Sequence, residues 1–282
     1  MTTQRVDLAS FLEMAHVIAE EAGRSLMGGY RKSRRGEDTG IIRKKGAIDL
    51  VTEWDMASEK LICARLSSAF PNIPVLAEEG GGASLDEELV WVVDPIDGTT
   101  NFAHGHPFFG VSIGLARRGR PILGVVHAPA LGITWRGAEG KGSTRHARGQ
   151  AEPERCVLGR AQSLRDALVA TGFPYDRATS DENNIREMSR VVTQIRGIRR
   201  CGSAAIDLCL VADGTYDAYW EQKLAPWDLC GGAALVLAAG GVLTDYEGGE
   251  IDLKVGRVVA SNGMIHDDLR EEIVAARAAP HP

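Results

Sequence analysis

The chain has 282 residues, of which 44% are hydrophobic and 25% charged, and its 32 Lys and Arg against 38 Asp and Glu give a formal net charge of −6. This composition is typical of a globular protein with one large domain or two packed ones, and it excludes a disordered, collagen-like or coiled-coil chain. The acidic balance argues against a general nucleic-acid binder, which needs a basic surface to neutralise phosphates. It does not exclude an anionic small-molecule substrate.

The chain has no pattern typical of a secretion signal or a membrane span. Acidic residues interrupt the first 20 positions at Asp7, Glu13 and Glu20, where a signal peptide would have an apolar core. The longest apolar stretch, residues 233–239, is far shorter than the roughly 18 to 20 residues that span a bilayer. We therefore expect a cytoplasmic protein that is not attached to a membrane.

Apolar residues at helical spacing begin the fold. They predict a helix that ends at Gly28 and Gly29 and whose buried face contains Phe11, Ala15, Ile18 and Ala22. Residues 31–45 include seven Lys or Arg and have no period. We interpret them as a solvated basic loop, with a flap over a phosphate site as the alternative.

A second helix is predicted from a capping pattern. Thr52 is followed three residues later by Asp55, which resembles an acidic variant of the capping box. The helix therefore begins at Thr52, and Asp49 lies just before it.

An acidic turn follows a predicted buried strand. The apolar run 89–93 has the length of a strand, and the segment after it, 94–99, reads Asp-Pro-Ile-Asp-Gly-Thr. Asp94 and Asp97 can point into one space, where their repulsion requires either a proton held with a raised pKa or a bound cation. The alternative is a plain turn, because Asp, Pro and Gly favour turns for local reasons.

We favour a divalent metal at this turn, because further carboxylates occur at comparable places. Glu78 and Glu79 follow the predicted strand residues 75–76, and Asp228 lies at the start of a helix. Mg²⁺ takes oxygen ligands and completes its shell with substrate phosphate oxygens. Backbone N–H groups and a hydroxyl for that phosphate are available at Gly98 and Thr99.

The remaining elements alternate between strands and helices. Segments 108–116 and 121–128 predict a hairpin, and the Gly- and Arg-rich region 139–154 has few apolar residues. We place a boundary in that region. The prediction is an N-terminal α+β half, residues 1–145, that carries the metal motifs, and a C-terminal α/β half, residues 146–282, that completes the site.

Four separated segments together resemble one known family. They are DLVTEWD at 49–55, AEEG at 77–80, WVVDPIDGTTNFAHGHPFFGVSIGLA at 91–116 and PWDLCGGA at 226–233. In sequence and order they look like the motifs of the inositol monophosphatase family of lithium-sensitive, Mg²⁺-dependent phosphatases, and the similarity extends from about residue 8 to residue 275. The resemblance implies an α+β fold, a layered αβαβα sandwich of the type shared with fructose bisphosphatase, with the site between two halves, and a homodimer.

The resemblance also implies metal ligands. Glu78, Asp94 and the Ile96 carbonyl match the ligands of a first Mg²⁺, and Asp94, Asp97 and Asp228 match those of a second. A third, weaker Mg²⁺ would share Glu78, so two or three ions are expected in each site.

Catalytic and substrate-binding roles follow from the same resemblance. Asp49 and Thr99, with Glu78, match the group that orients and helps deprotonate a nucleophilic water. The substrate contacts implied are Asp97, Gly98, Thr99, Gly202, Ser203, Ala204, Glu221 and Asp228. Of these, Gly98 and Thr99 would hold the phosphate, whereas residues 202–204 and Glu221 would hold the alcohol.

The expected reaction is Mg²⁺-dependent hydrolysis of a small phosphate monoester, with myo-inositol monophosphate as the leading substrate. We expect direct attack by water without a phosphoenzyme, because the metals engage the aspartates. Glu221 favours a neutral polyol monophosphate, since a carboxylate would repel a second phosphate. The alternatives are a histidinol-phosphate, fructose bisphosphate or phosphoadenosine phosphatase, or a regulatory protein on the same fold.

Overall fold

The computed structural model of the chain describes residues 7–38, 40–43 and 50–278. The helices in these ranges are α1 (Leu8–Arg34), α2 (Glu53–Ala69), α3 (Thr99–Ala103), α4 (Ile185–Val191), α5 (Ala204–Ala212), α6 (Pro226–Ala239) and α7 (His266–Ala278). Within the part of the chain that is described, none of them is both long enough and apolar enough to cross a membrane.

Most strands of the N-terminal part form one eight-stranded sheet. A separate short antiparallel pair consists of β1 (Ile41–Arg43) and β2 (Leu50–Thr52). The strands of the large sheet are β3 (Val75–Ala77), β4 (Gly81–Gly82), β5 (Val90–Asp97), β6 (Gly110–Arg117), β7 (Arg120–Ala128), β8 (Ile133–Ala138), β9 (Gly142–Ala147) and β10 (Glu154–Arg155). Their order is β10-β9-β8-β7-β6-β5-β3-β4, with β3 and β5 parallel. The hairpin predicted from 108–128 is confirmed as β6 and β7.

A five-stranded sheet follows in the C-terminal part. Its strands are β11 (Leu168–Thr171), β12 (Gly197–Arg199), β13 (Ala218–Glu221), β14 (Val242–Thr244) and β15 (Val258–Ser261). They lie in the order β12-β11-β13-β15-β14, and β11 is parallel to both of its neighbours. This arrangement places the ends of β11 and β13 side by side.

The elements stack in five layers. Helices α1 and α2 pack with the large sheet in one apolar cluster, and α5 and α6 fill the space between the two sheets in a second. Helices α4 and α7 cover the outer face of the small sheet. The predicted layered αβαβα fold is therefore confirmed, whereas the division after residue 145 stays a prediction.

Helix α6 lies unusually close to the large sheet. A Cβ atom on Gly124 of β7 would be 2.0 Å from the carbonyl oxygen of Gly231, and one on Gly114 of β6 would be 2.5 Å from Sγ of Cys230. Such distances are impossible for real side chains, so glycine is required at both positions. Helix α6, whose first turn contains Asp228, is thereby held against β7 and against β6, which pairs with β5.

The predicted end of the first helix at Gly28 and Gly29 is wrong, because α1 continues to Arg34. A Cβ on Gly29 would lie 2.6 Å from the Trp54 ring, so the glycine serves the close packing of α1 on α2 rather than a helix stop. The first residues of the predicted basic loop are the last turn of α1, where positive charge complements the helix dipole.

Candidate active site

A bulge in β5 brings Asp94 and Asp97 to the same side of the sheet. Residues three apart in a regular strand point to opposite faces. Here Asp94 pairs with Ser112 and Asp97 pairs with Gly110, so β5 has one residue more than β6 between these pairs. This extra residue turns the side chain of Asp97 to the face of the sheet that Asp94 occupies. Both side chains are buried.

Asp228, in the first turn of α6, completes what we call the carboxylate cluster: Asp94, Asp97 and Asp228. Their carboxylate oxygens lie within 4.8 Å of one another. Burial, followed by the negative charges of Glu78, Asp97 and Asp228, raises the pKa of Asp94 well above its usual value. Burial and the charge of Asp97 raise the pKa of Asp228 to about 8.

Backbone N–H groups fix each member of the carboxylate cluster. Asp94 Oδ1 accepts from the N–H of Ile96 at 2.9 Å, and Asp228 Oδ2 accepts from the N–H of Ala225 at 2.7 Å. Asp97 Oδ2 accepts from the N–H of Ala205 at 2.7 Å, in the first turn of α5, and also from the hydroxyl of Ser203 at 2.5 Å. Fixed donors of this kind hold the carboxylates close together in spite of their repulsion.

The carboxylate cluster is chemically suited to hard divalent cations. Its donors are carboxylate oxygens. Ile96, whose backbone carbonyl is an expected ligand, and Glu78 line the same cavity. Mg²⁺ takes ligands of this type. A cation would also offset the mutual repulsion that, after burial, raises the pKa values of Asp94 and Asp228.

Glu59 of α2 supports the turn that carries Glu78. Its Oε2 accepts from the N–H of Glu79 and its Oε1 from the N–H of Gly80, both at 2.7 Å. The Glu59 side chain is buried, so one carboxylate fixes two consecutive peptide groups directly after Glu78. No pattern in the sequence indicates this contact.

Thr99 begins α3 directly after Gly98, whose φ of +93° is left-handed. The Thr99 hydroxyl lies 3.1 Å from Oδ1 of Asp55 and 3.0 Å from the carbonyl of Ile96. The same Asp55 accepts from the N–H of Thr52 at 2.7 Å, which confirms the predicted capping box. Asp55 thus joins the start of α2 to Thr99, a contact that the capping pattern alone did not predict.

Glu221 lies in the C-terminal part of the chain, at the end of β13. Its Oε2 accepts a 2.5 Å hydrogen bond from the Tyr219 hydroxyl. Burial raises the pKa of Glu221 to about 7, whereas the bond from Tyr219 and the positive charge of Arg200 act in the other direction. We call the surface formed by Gly172, Asp207 and Glu221, with Tyr219 behind it, the Glu221 wall.

One cavity of about 510 Å³ joins the Glu221 wall to the carboxylate cluster. The expected site residues that line it are Glu78, Asp94, Ile96, Asp97, Gly98, Thr99, Gly202, Ser203, Ala204, Glu221 and Asp228. Asn101 of α3 links the two parts of the chain, since its amide donates to the carbonyls of Phe108 at 2.6 Å and of Cys201 at 2.8 Å. Asp49 lies outside the described residues.

Comparison with known proteins identifies the family. The chain matches the inositol monophosphatase family over residues 7–279. It belongs to that family. Family membership makes the chain a phosphatase of a Mg²⁺-dependent group, which agrees with the chemistry of the carboxylate cluster.

Relatives of this inositol monophosphatase family member cover almost its whole length. An inositol-1-monophosphatase of Synechocystis sp. is 38% identical over 271 residues, which are 95% of this chain and 90% of that protein. The protein named Nus factor SuhB of Pseudomonas aeruginosa is 40% identical over 250 residues, 87% of this chain and 90% of that one. The solved structure of inositol monophosphatase from Anabaena (Nostoc) sp. has a TM-score of 0.84 at 37% identity and covers 96% of this chain and 97% of that chain.

Proposed function

We propose that this protein hydrolyses a small phosphate monoester, with myo-inositol monophosphate as the leading substrate, by direct attack of water on phosphorus. The observation that carries the proposal is the meeting of three carboxylates within 4.8 Å in a cavity that also contains Thr99 and Glu221. A phosphate dianion would be repelled there without cations, so the site suits a phosphate only together with divalent metal.

The residues that would hold two or three Mg²⁺ ions are Glu78, Asp94, Ile96 through its carbonyl, Asp97 and Asp228. When bound, the ions lower the pKa of a water molecule and neutralise negative charge on the phosphate. The support for this assignment is the all-oxygen donor set and the raised pKa values of Asp94, Asp97 and Asp228.

The chain's own groups bind and orient the reactants. The N–H groups of Gly98 and Thr99 donate to phosphate oxygens, and glycine at position 98 permits the left-handed backbone that precedes α3. The Thr99 hydroxyl orients the attacking water, whose proton passes to Asp49 or Glu78. Residues 202–204 and Glu221 hold the leaving alcohol, and no covalent phosphoenzyme forms.

The Glu221 carboxylate favours a neutral polyol as the leaving group. It accepts hydrogen bonds from hydroxyls, and its charge disfavours a substrate with a second phosphate. We further propose that the enzyme is a cytoplasmic homodimer, and that lithium inhibits it, as the family resemblance implies.

A second candidate role is regulatory. It is favoured by the 40% identity to the protein named Nus factor SuhB. Such a role can coexist with catalysis, because the residues of the carboxylate cluster are all present.

The test is phosphate release with Mg²⁺, with and without lithium, from inositol 1-phosphate, histidinol phosphate, fructose bisphosphate and phosphoadenosine phosphate. We expect the highest kcat/KM for inositol 1-phosphate, inhibition by lithium, and no radiolabelled phosphoprotein after rapid quench with labelled substrate. A folded protein without turnover on any of the four would refute the phosphatase role. A trapped phosphorylated residue would refute direct attack by water.

A further inference from the structure

Tyr219 and Glu221 form a buried pair within the Glu221 wall. They are two residues apart on β13 and therefore share one face of the strand. Tyr219 is completely buried, so its hydroxyl cannot exchange its partner for water. The single hydrogen of that hydroxyl is donated to Oε2 of Glu221 at 2.5 Å.

Gly172 makes room for the carboxylate that Tyr219 holds. Thr171, the last residue of β11, pairs with Trp220 of β13, so Gly172 follows directly beside Glu221. A Cβ on Gly172 would lie 2.0 to 2.3 Å from the three carboxyl atoms of Glu221. The Glu221 carboxylate is therefore held by the hydrogen bond from Tyr219, and it occupies space that is free only because residue 172 is a glycine.

Two carboxyl groups belong to the Glu221 wall. Besides Glu221, Asp207 of α5 lines the same cavity with a side chain that is 2% exposed; its Oδ1 is itself buried and has no hydrogen-bond partner among the described residues. Since Tyr219 donates its hydrogen to Glu221, it cannot also supply Asp207. Arg200, an exposed cavity residue, is a positively charged group whose charge acts on both Asp207 and Glu221.

We propose that Tyr219 is a positioning residue for substrate selection. By holding Oε2 of Glu221, it fixes the carboxylate so that the leaving alcohol can donate its hydroxyl hydrogens to Glu221. The enzyme then prefers a phosphate ester of a polyhydroxylated alcohol over one whose leaving group carries no hydroxyl. This inference rests on the proposed phosphatase function.

The test compares Tyr219→Phe with the wild type on two substrates. Inositol 1-phosphate has a leaving group rich in hydroxyls, and 4-nitrophenyl phosphate has one without any. We expect the ratio of kcat/KM for inositol 1-phosphate to that for 4-nitrophenyl phosphate to fall about tenfold in Tyr219→Phe. A tenfold change is the scale of one hydrogen bond to a charged group. It should arise mainly from a higher KM for inositol 1-phosphate. The matched control is Tyr246→Phe, because Tyr246 is equally buried and its hydroxyl has no partner among the described residues.

A double-mutant cycle separates positioning from a general structural role. If Tyr219 acts through Glu221, Tyr219→Phe should change the ratio little in a Glu221→Gln background, where the charged acceptor is already lost. An unchanged ratio in Tyr219→Phe, an equal loss on both substrates, or the same fall in Tyr246→Phe would overturn the inference. A wild type inactive on both substrates would instead refute the phosphatase function on which the inference rests.

Discussion

The carboxylate cluster and the Glu221 wall hold their acidic side chains by different means. Asp94, Asp97 and Asp228 accept from backbone N–H groups at a strand bulge and at helix starts. Glu221 instead accepts from a side-chain hydroxyl and occupies the gap left by Gly172. The comparison teaches that the geometry of the cluster rests mainly on backbone donors, with the Ser203 hydroxyl as a side-chain donor to Asp97, whereas that of the wall depends on side chains that single substitutions can alter.

The largest effect is expected from Asp94→Asn. The amide oxygen can still accept from Ile96, but the negative charge that would bind metal is lost. We expect kcat on 4-nitrophenyl phosphate with Mg²⁺ to fall by at least about 10³-fold, since metal-assisted water attack supplies much of the acceleration. Asp166→Asn, at an exposed carboxylate paired with Arg196, serves as the control. Full activity of Asp94→Asn would refute the metal assignment.

A strong pH dependence of Mg²⁺ binding is expected from the carboxylate cluster. The pKa of Asp228 is raised by burial and by Asp97 from 3.8 to about 8, and Mg²⁺ must displace the protons held in this range. As the pH drops below 8, the apparent Mg²⁺ affinity should therefore fall about tenfold per pH unit for each displaced proton. If one proton is displaced, the affinity at pH 6 should be about 100-fold lower than at pH 8.

Thermal unfolding offers a second readout of the same protons. Between pH 4 and pH 8 the metal-free folded state binds more protons at Asp228 than the unfolded chain does, so this group's contribution to stability is lost as the pH rises through that range. The rise in Tm on adding Mg²⁺ should then be larger at pH 8 than at pH 6. An equal rise at both values would contradict the raised pKa values.

Gly172→Ala should perturb the Glu221 wall and leave the carboxylate cluster in place. The backbone at Gly172 is not left-handed, so alanine is tolerated locally, but its Cβ would displace the Glu221 carboxylate. We expect KM for inositol 1-phosphate to rise about 30-fold, with a much smaller change for 4-nitrophenyl phosphate. Gly197→Ala in β12, whose Cβ would have ordinary contacts, is the control. Equal losses on both substrates would show that the two regions are not separable.

Glu59→Gln tests whether the turn after Glu78 needs its support. A glutamine has one acceptor oxygen, so its NH₂ group would face one of the two N–H donors of Glu79 and Gly80. The Mg²⁺ concentration for half-maximal activity should rise about tenfold, as is typical when a residue behind a metal ligand is changed, while kcat at saturating Mg²⁺ is retained. Glu53→Gln, exposed on the same helix, is the control. A lower kcat with unchanged Mg²⁺ dependence would contradict this role.

The sequence predicted the features that depend on contiguous residues. The buried strand, the acidic turn after it and the capping box at Thr52 follow from local patterns, and the layered αβαβα fold was implied by the family resemblance that four short motifs carry. The contacts of Glu59 with residues 79–80 and of Asp55 with Thr99 were missed, because they join segments 20 to 44 residues apart. Gly28 and Gly29 were misread since their role, close packing against Trp54, exists only in the folded chain.

The contact between Gly124 and Gly231 sets how closely α6 approaches the large sheet. At this point α6 touches the large sheet backbone to backbone, with no side chain between them. The separation of α6 from β7 is therefore determined by the thickness of the polypeptide backbone and not by the volumes of neighbouring side chains. Substitutions elsewhere in the core can change those volumes over evolutionary time, while this contact keeps α6, and with it Asp228, close to the large sheet.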